Sequence, residues 1–410
     1  MDNITHSLIG VTLSRAFIET PSTTDSQSGG AKPTYKKAAF FTLLIANNIP
    51  DIDFVLRPFV GDLGYLIHHR GATHTVFLGV WLGLLSGALG ALIARMKYSR
   101  TALLKLWGWG VLGVFFHILA DSWNDYGVHP FSPFVSNWIY GGFIFILEPA
   151  LWCSMLPLVY FSTTRKWVKA GVLVLLGALL GVASFTSYGS LGLGFAILVW
   201  LSIFWMWTSR SRGALPAAVG VLTTLAVFGF SSIYARQLIR QEMSELKPSE
   251  VEVDLIMGPS PANPFCWRAV WVGDLGEVSR DRQFTVRGGT TSLAPSLISP
   301  ESCSFWRYGD SVVLHTPHSH FTREERGSVS DLRRLASVHC GVREMLHFAR
   351  APFWSIEADP VKGDQITIGD ARYAFRSTRS FSKFTFSMNG YECKFSPAQS
   401  RTPFQNYFGF

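Results

Sequence analysis

Residues 74–94 read HTVFLGVWLGLLSGALGALIA and contain no Asp, Glu, Lys or Arg. A helix needs about 20 consecutive apolar residues to cross a bilayer, and this run is long enough to do so once. Its glycines are typical of helices that pack closely inside a membrane. The stretch therefore predicts a membrane helix, and it determines how the rest of the chain is interpreted.

Similar apolar segments follow along the first half of the chain. They are residues 102–120, 141–161, 170–188, 191–208 and 214–234. Two shorter apolar segments, residues 4–18 and 36–49, come first, and the second ends at Pro50. We expect these two to form a helical hairpin within a multi-pass helix bundle.

The overall composition agrees with a membrane protein. Charged residues make up 16% of the chain, hydrophobic residues 48%, and the mean hydropathy is +0.23, whereas soluble domains carry about 25% charged residues. The net charge of +8 comes mostly from basic clusters between apolar segments, so no direct binding of nucleic acid is expected. The first ten residues lack a basic region, and a cleavable signal peptide is not expected.

The basic residues also predict the orientation, because cytoplasmic loops are enriched in Lys and Arg. If the two short helices also cross, one set of loops carries thirteen basic residues and the other carries only Arg57 and Arg70. The thirteen are Arg15, Lys32, Lys36, Lys37, Arg95, Lys97, Arg100, Lys105, Arg165, Lys166, Lys169, Arg210 and Arg212. Both ends of the chain are then expected outside the cytoplasm.

The character of the sequence changes near Arg236. We predict a membrane helical domain over residues 1–235 and a smaller α+β extramembrane domain over 236–410. Alternation of apolar and polar residues predicts strands at 269–272, 284–286, 311–315, 365–368 and 384–388. Helical spacing of apolar residues predicts a single helix over 329–348.

Four of the five cysteines lie in the second domain. Cys266, Cys303, Cys340 and Cys393 permit two disulfides in three pairings if the compartment is oxidising, and four reduced thiols are the alternative. Cys153 lies in an apolar segment, where it is expected only to pack.

Histidines and carboxylates gather at the ends of the early apolar segments. Ionisable residues at membrane depth are costly and point to function. In the predicted topology all of them lie at the same, non-cytoplasmic side of the bundle. The candidate metal ligands are His6, Asp51, Asp53, His69, His74, His117, Asp121 and Glu148.

Each motif alone has a simpler explanation. His117 and Asp121 are four residues apart and share a helix face, but a hydrogen-bonded His–Asp pair has the same spacing. Asp51 and Asp53 also suit a solvated helix stop, and His69 and His74 suit surface imidazoles, with Thr73 a possible helix cap. His68 and His129 are weaker candidates, because the first is only a neighbour and the second is expected to be exposed.

Taken together, these residues predict a divalent metal site. Imidazole and carboxylate ligands favour Zn²⁺, with Mn²⁺, Fe²⁺ or Mg²⁺ as alternatives. The number of candidate ligands suggests two or three ions. Such a site can activate water for attack on a phosphoester, with Asp51 or Asp53 as general base and Arg70 holding a phosphate oxygen.

The motifs resemble a known family. Thr5-His6-x-Leu8-x-Gly10, Pro50-Asp51-Ile52-Asp53, His69-Arg70-Gly71-x-Thr73-His74 and His117-x-x-x-Asp121 are similar to the YdjM/YbcI-type (DUF457) membrane-bound metal-dependent hydrolases of bacteria. Tyr126-Gly127, Pro130-Phe131-Ser132 and Glu148-Pro149 fit the same pattern, and Asn263-Pro264-Phe265-x-Trp267-Arg268 looks like the outer-domain signature of that family.

The order of the motifs is also distantly similar to zinc-dependent phospholipase C and the P1-type nucleases. That similarity implies a phospholipase C-like metal-binding core with His6, Asp51 or Asp53, His69 or His74, His117 and Asp121 as ligands. Only His129 and Glu148 remain for the later ligands of that site, so a complete trinuclear site is not implied.

The resemblance implies a hydrolase in the bacterial inner membrane, and the distribution of basic residues predicts that its metal site and C-terminal domain lie in the periplasm. Its expected substrates are phosphoesters, including the head groups of membrane lipids. Two other classes stay open: a metal-ion or small-solute transporter, and a structural or partner-binding membrane protein stapled by a metal.

Overall fold

The structure is a computed structural model. It describes residues 1–18, 33–97, 99–135, 137–185, 190–278, 280–303, 312–359, 363–374, 380–388 and 401–410.

Among the described residues, nine α-helices make up the first part of the chain. They are α1 (Asn3–Phe17), α2 (Pro33–Ala46), α3 (Arg57–His68), α4 (Val76–Ile93), α5 (Arg100–Asp121), α6 (Pro149–Ser162), α7 (Lys166–Phe185), α8 (Leu191–Ser211) and α9 (Leu215–Leu246). Short 3₁₀ helices, Ile49–Leu56 and Ala72–His74, flank α3.

Five of the described helices, α4, α5, α7, α8 and α9, are long and apolar enough to cross a membrane. Helix α2 and the segment from Ile49 to His68 pass the same test as one span with a bend of 44°. The chain is thus a multi-pass membrane protein with a mainly helical first half, as the sequence predicts.

One predicted segment is shorter than expected. Of residues 141–161, only those from Pro149 onward are helical, in the 14-residue helix α6. Residues 141–148 form an irregular approach, in which Gly142 has φ +61°. The side chain of Glu148 accepts the N–H of Ala150 and so fixes the start of α6. An apolar composition could not reveal this cap.

Close approach of glycines sets the spacing between α4 and α5. A Cβ atom at Gly110 would lie 2.0 Å from the carbonyl oxygen of Gly83, and one at Gly83 would lie 2.5 Å from the backbone of Val111. The two helices therefore touch through their backbones. This contact fixes the position of α5 relative to α4, and therefore the position of the last turns of α5, which carry His117 and Asp121.

The second part of the chain is an α+β domain, as predicted. Its elements are β1 (Val251–Ser260), β2 (Asn263–Val278), β3 (Asp281–Ser292), β4 (Leu314–His315), β5 (Ser319–Ser328), α10 (Val329–Val338), α11 (Cys340–Leu346), β6 (Pro352–Glu357), β7 (Gln365–Asp370), β8 (Lys383–Ser387) and α12 (Pro403–Phe408). One antiparallel sheet has the order β1-β2-β3-β5-β4, and a second has the order β6-β7-β8. Helix α9 continues past residue 235 to Leu246.

The strands predicted at 269–272, 284–286 and 365–368 fall within β2, β3 and β7. Those predicted at 311–315 and 384–388 only overlap β4 and β8, because Val312, Val313 and Met388 are not in strands and Ser311 lies outside the described residues. The single helix predicted over 329–348 is wrong. The chain breaks into α10 and α11 at His339, whose φ of −129° and ψ of 109° are extended. Apolar spacing continues across the break, so the spacing could not reveal it.

Disulfides form in this domain. Cys266 is bonded to Cys303, and Cys340 is also disulfide-bonded, whereas Cys393 lies outside the described residues. Cys153 is a free, buried thiol, as expected.

The sheet domain packs directly onto the membrane helices. Leu63, Leu66 and Ile67 of α3 belong to the same buried apolar cluster as the core of the β-sheets. Arg268 of β2 forms an ion pair with Asp125, which follows α5. The guanidinium of Arg372 also donates to the carbonyl of Asp125 over 2.8 Å. The segment after α5 is therefore held between the two parts.

Candidate metal centre

Four side chains from three different elements meet at one end of the helix bundle. Asp51 lies in the 3₁₀ helix after α2, His74 ends the turn before α4, and His117 and Asp121 lie on the last turns of α5. The side chains of His74, His117 and Asp121 are fully buried, and that of Asp51 is 14% exposed. One ligand atom from each lies within 4.8 Å of the others.

The spacing of these atoms suits a tetrahedral ion. His74 Nε2 lies 3.1 Å from His117 Nε2, 3.4 Å from Asp51 Oδ1 and 3.3 Å from Asp121 Oδ2. His117 Nε2 lies 3.7 Å from Asp51 Oδ1 and 3.5 Å from Asp121 Oδ2. Ligands about 2.0–2.1 Å from a tetrahedral Zn²⁺ are separated by about 3.3–3.4 Å. The four atoms therefore surround a space of the right size for one cation.

Both imidazoles are held with Nε2 facing this space. His117 Nδ1 lies 2.8 Å from the carbonyl oxygen of Asn47, to which it donates. His74 Nδ1 lies 3.0 Å from Thr73 Oγ1. Burial lowers the pKa of His74 well below its ordinary value of 6.5, which favours the neutral ring. Contacts at Nδ1 orient both rings, and Nε2 is then the nitrogen that can coordinate a cation.

Asp121 connects the cluster to a second group of residues through its other oxygen. Asp121 Oδ1 lies 2.9 Å from the Arg70 guanidinium and 3.3 Å from His6 Nε2, and it also contacts the amino group of Met1. The His6 ring stacks on His117 with centroids 3.8 Å apart. Neither ring nitrogen of His6 has a hydrogen-bond partner among the described residues. His6 thus lies against the metal cluster without belonging to its four donors.

Arg70 is held tightly in place. It is 2% exposed, and its guanidinium also donates to Asn124 Oδ1 over 3.1 Å and lies over the ring of Tyr126. Its φ of +62° is in the left-handed region, which is uncommon for a residue other than glycine. These contacts make Arg70 a positioning residue for Asp121. Its contact with a phosphate oxygen stays a prediction.

Asp53 and His69 form a separate pair. Both oxygens of Asp53 lie 3.1 Å from His69 Nδ1, and one of them accepts the backbone N–H of Arg70 over 3.0 Å. The side chain of His69 is 19% exposed. Neither residue belongs to the four-donor cluster, so their roles as ligands stay predictions.

Glu148 and His129 lie in other surroundings. Glu148 Oε1 accepts the N–H groups of Ala150 and Ala262, each over 3.1 Å, so it ties α6 to the turn between β1 and β2. Burial raises the pKa of Glu148 to about 8. Its role as a metal ligand stays a prediction. His129 was expected to be exposed, but it is buried against Trp138, and burial lowers its pKa to about 4.

A cavity of about 480 Å³ lies where the two parts of the chain meet. Its lining includes Tyr65, His69, Arg70 and Tyr126 from the helical part, with Phe381 and Lys383 from the sheet domain. His69 and Arg70 connect the cavity to Asp53 and Asp121, as described above.

The surface beside the cavity is strongly apolar. The 3₁₀ helix Ile49–Leu56 and the start of α3 expose large apolar side chains to between 49% and 77%. They are Ile52, Phe54, Val55, Leu56 and Phe59.

The sequence did not reveal several residues that hold the site together. Asn47, Asn124 and Asp125 were not predicted, and Thr73 was expected to cap α4, whereas Thr75 caps that helix and Thr73 contacts His74. Asn47 acts through its backbone carbonyl, a group that every residue has, so the residue type gives no indication of this role. Asn124 and Asp125 follow Asp121 closely, and that proximity was the available signal.

The comparisons with known proteins agree with the sequence motifs. Residues 1–191 match the family described as YdjM inner membrane protein, which confirms the resemblance over those residues. The chain is also 28% identical over 159 residues to the uncharacterized protein YfhP of Bacillus subtilis (strain 168). That match covers 39% of this chain and 45% of YfhP, less than half of either. No solved structure matches the chain significantly.

Proposed function

We propose that this protein is a metal-dependent hydrolase of phosphoesters, with one divalent ion held by Asp51, His74, His117 and Asp121. The observation that carries the proposal is the set of four donors, three of them buried, with two imidazole nitrogens 3.1 Å apart, near a cavity of about 480 Å³ that His69 and Arg70 line. Zn²⁺ is the favoured ion, because its ligands in proteins are imidazole nitrogens and carboxylate oxygens at these spacings. When bound, it supplies Lewis acidity that polarises a phosphoryl oxygen and makes water more acidic.

The residues around the ion have separate roles in this proposal. Asp53 holds His69 through Nδ1, which leaves Nε2 of the same ring available to accept and return a proton at the cavity. Arg70 fixes the orientation of Asp121. His69 is thus the proton-transfer residue, and Asp53 takes the supporting role instead of acting as the base itself.

The shape of the site supports a lipid substrate. Helices α1, α2 and α6 have 15, 14 and 14 residues and are about 21–23 Å long at 1.5 Å per residue, less than the roughly 30 Å of a bilayer core. The apolar surface from Ile52 to Phe59 suits the lipid interface. Aromatic and cationic residues of the cavity, among them Tyr65, Phe381 and Lys383, would receive a lipid phosphate head group.

The periplasm is the proposed compartment. The basic loops are expected in the cytoplasm, which favours the opposite side of the membrane for the metal centre. The Cys266–Cys303 disulfide also favours an oxidising compartment.

A hydrolysis assay tests the proposal. Full-length protein in lipid nanodiscs, loaded with Zn²⁺, is assayed with bis(p-nitrophenyl) phosphate and with phospholipid. We expect the pair His117→Ala and Asp121→Ala to abolish turnover and to bind one equivalent of Zn²⁺ fewer than wild type. The matched control pair, His347→Ala and Asp331→Ala in the sheet domain, should retain both. Activity in the first pair would remove those residues from the mechanism.

A metal-stapled structural protein is the second candidate. It is favoured by the four donors themselves, because four protein ligands fill a tetrahedral shell, whereas catalytic zinc normally keeps one position open. His69→Ala separates the two candidates. It should retain Zn²⁺ and thermal stability and lose turnover if the protein is a hydrolase, whereas a structural protein shows no turnover to lose.

A further inference from the structure

A second group of metal-ligating side chains lies in the sheet domain. Glu301 is in the 3₁₀ turn Pro300–Cys303, His315 is the last residue of β4, and His320 is in β5. His315 and His320 are paired directly across the antiparallel ladder, so their side chains lie on the same face of the sheet. Glu301 approaches them from a neighbouring segment.

We propose that Glu301, His315 and His320 form a surface binding site for a divalent transition-metal ion. The site shares no residue with the buried cluster, so the proposal is independent of the hydrolase activity.

The distances within the group support the proposal. His315 Nδ1 lies 3.3 Å from His320 Nδ1, and Glu301 Oε1 lies 3.3 Å from the first and 3.7 Å from the second. Three corners of a tetrahedral zinc site lie about 3.3–3.4 Å apart. The three atoms therefore already occupy positions close to one face of such a tetrahedron.

Both sides of the site are fixed independently. The disulfide between Cys303 and Cys266 ties the turn that carries Glu301 to β2. The hairpin between β4 and β5 is anchored on Glu242, which accepts hydrogen bonds from Thr316 over 2.7 Å and from Ser319 over 2.6 Å. Binding an ion thus requires little ordering of the chain.

The exposure of the group allows an ion to enter from solvent. The side chains of His315, Glu301 and His320 are 52%, 44% and 16% exposed. Three protein donors leave the fourth position of a tetrahedron to water or to another ligand. Two imidazoles favour Zn²⁺, Cu²⁺ or Ni²⁺ over Mg²⁺ and Ca²⁺, which prefer oxygen donors.

The same hairpin supplies a matched control. His318 lies between the two proposed ligands in sequence, but its Nδ1 is 3.0 Å from the carbonyl oxygen of Ser292. It does not belong to the group of three donors. His318→Ala therefore removes an imidazole from the hairpin without removing a ligand.

Zn²⁺ stoichiometry tests the proposal. Full-length protein in detergent is stripped with chelator, titrated with Zn²⁺ at neutral pH, and assayed for bound metal. We expect the pair His315→Ala and His320→Ala to bind one equivalent fewer than wild type, and His318→Ala to bind as wild type does. Glu301→Gln should weaken the site by at least about tenfold, because even a change to the outer-shell partner of a metal ligand costs about 10–100-fold in affinity.

A second measurement guards against misfolding. Co²⁺ replaces Zn²⁺, and its visible absorption reports tetrahedral coordination, while the thermal midpoint of each variant shows that it is folded. Equal Zn²⁺ stoichiometry in the pair variant and in His318→Ala would overturn the proposal. Loss of metal in both, with folding retained, would also overturn it, because it would indicate binding without a defined site.

Discussion

The two oxygens of Asp121 have different partners, and this division organises the metal centre. Oδ2 lies with the four donors, 3.3 Å from His74 Nε2, and Oδ1 lies 2.9 Å from Arg70. A planar guanidinium that is also bonded to Asn124 holds the carboxylate in one orientation. Lysine carries the same charge but lacks this geometry.

We therefore expect Arg70→Lys to weaken metal binding although the charge is kept. A loss of about 10–100-fold in affinity is typical when the partner of a metal ligand is removed. A competition titration of Zn²⁺ measures it. Arg57→Lys is the control, because Arg57 and Asp62 form an exposed pair that contributes little. Unchanged affinity in Arg70→Lys would mean that Arg70 acts only through its charge.

Glu148 gives a prediction with a defined pH dependence. Its pKa is raised from 4.5 to about 8 by burial, so the folded protein binds the proton more tightly than the unfolded chain. The resulting stability is fully present below about pH 4.5 and is lost as the pH rises through about 8. Glu148→Gln mimics the neutral form and still accepts both backbone N–H groups.

The thermal midpoint in detergent, measured from about pH 5.5 to about pH 9, should fall for wild type and stay flatter for Glu148→Gln. The variant should also keep its full metal content, because Glu148 caps α6 in this structure. Loss of the metal in Glu148→Gln would indicate that Glu148 is a metal ligand.

The sequence revealed the residue types of the site better than their partnerships. His117 and Asp121 share a helix face because they are four residues apart, so their proximity followed from spacing alone. Asp51 and Asp53 are two residues apart on an irregular turn, and spacing did not predict that one joins the cluster and the other binds His69. The dihedral angles of the 3₁₀ turn decide that, and they depend on tertiary packing.

At the scale of the elements, apolar length predicted the long helices and failed where local polar contacts end a helix. Helices α4, α5, α7, α8 and α9 are recognisable from runs of apolar residues. The short α6 depends on one buried cap, and the break between α10 and α11 depends on the backbone at His339. Neither feature changes the apolar pattern.

The contact between α4 and α5 gives a prediction at this scale. Gly110→Ala would place a methyl group 2.0 Å from the carbonyl oxygen of Gly83, whereas Gly108→Ala on the same helix would meet no atom within 4 Å. We expect Gly110→Ala to destabilise the fold by about 1–3 kcal/mol, the usual cost of overpacking. It should also weaken metal binding, because α5 carries His117 and Asp121.

Thermal midpoints and Zn²⁺ titrations of the two alanine variants provide the comparison. Gly108→Ala should be neutral or slightly stabilising, since alanine favours helix over glycine. Equal behaviour of the two variants would show that the helices can separate without cost.

At the scale of the whole molecule, the positions of the charged residues and of the metal centre are connected through the topology. The helix ends near His6, Asp51, His74 and Asp121 meet at one end of the bundle. The basic loops lie at the opposite end. Residues 95–100 connect α4 to α5 there, and residues 163–166 connect α6 to α7. Arg70, one of the two basic residues on the metal side, is buried and paired with Asp121. Arg57 is then the exposed basic residue that remains in the loops on the metal side. The difference in exposed positive charge between the two sides of the membrane is therefore larger than the sequence count alone indicates.

This arrangement predicts that residue 97 faces the cytoplasm and residue 277 faces the periplasm. Lys97 and Glu277 are both exposed, so Lys97→Cys and Glu277→Cys are suitable probes for an impermeant thiol reagent in intact spheroplasts. The unsubstituted protein is the control for labelling of its own cysteines, of which Cys153 is free and buried. Glu277→Cys should react at once, and Lys97→Cys should react only after the membrane is permeabilised.

The reverse pattern would place the metal centre in the cytoplasm. The Cys266–Cys303 disulfide would then no longer be explained by an oxidising compartment. Labelling of both would show that one of the five helices between the two probes, α5 to α9, does not cross the membrane, since each crossing reverses the side on which the next loop lies; α6 is the shortest of the five.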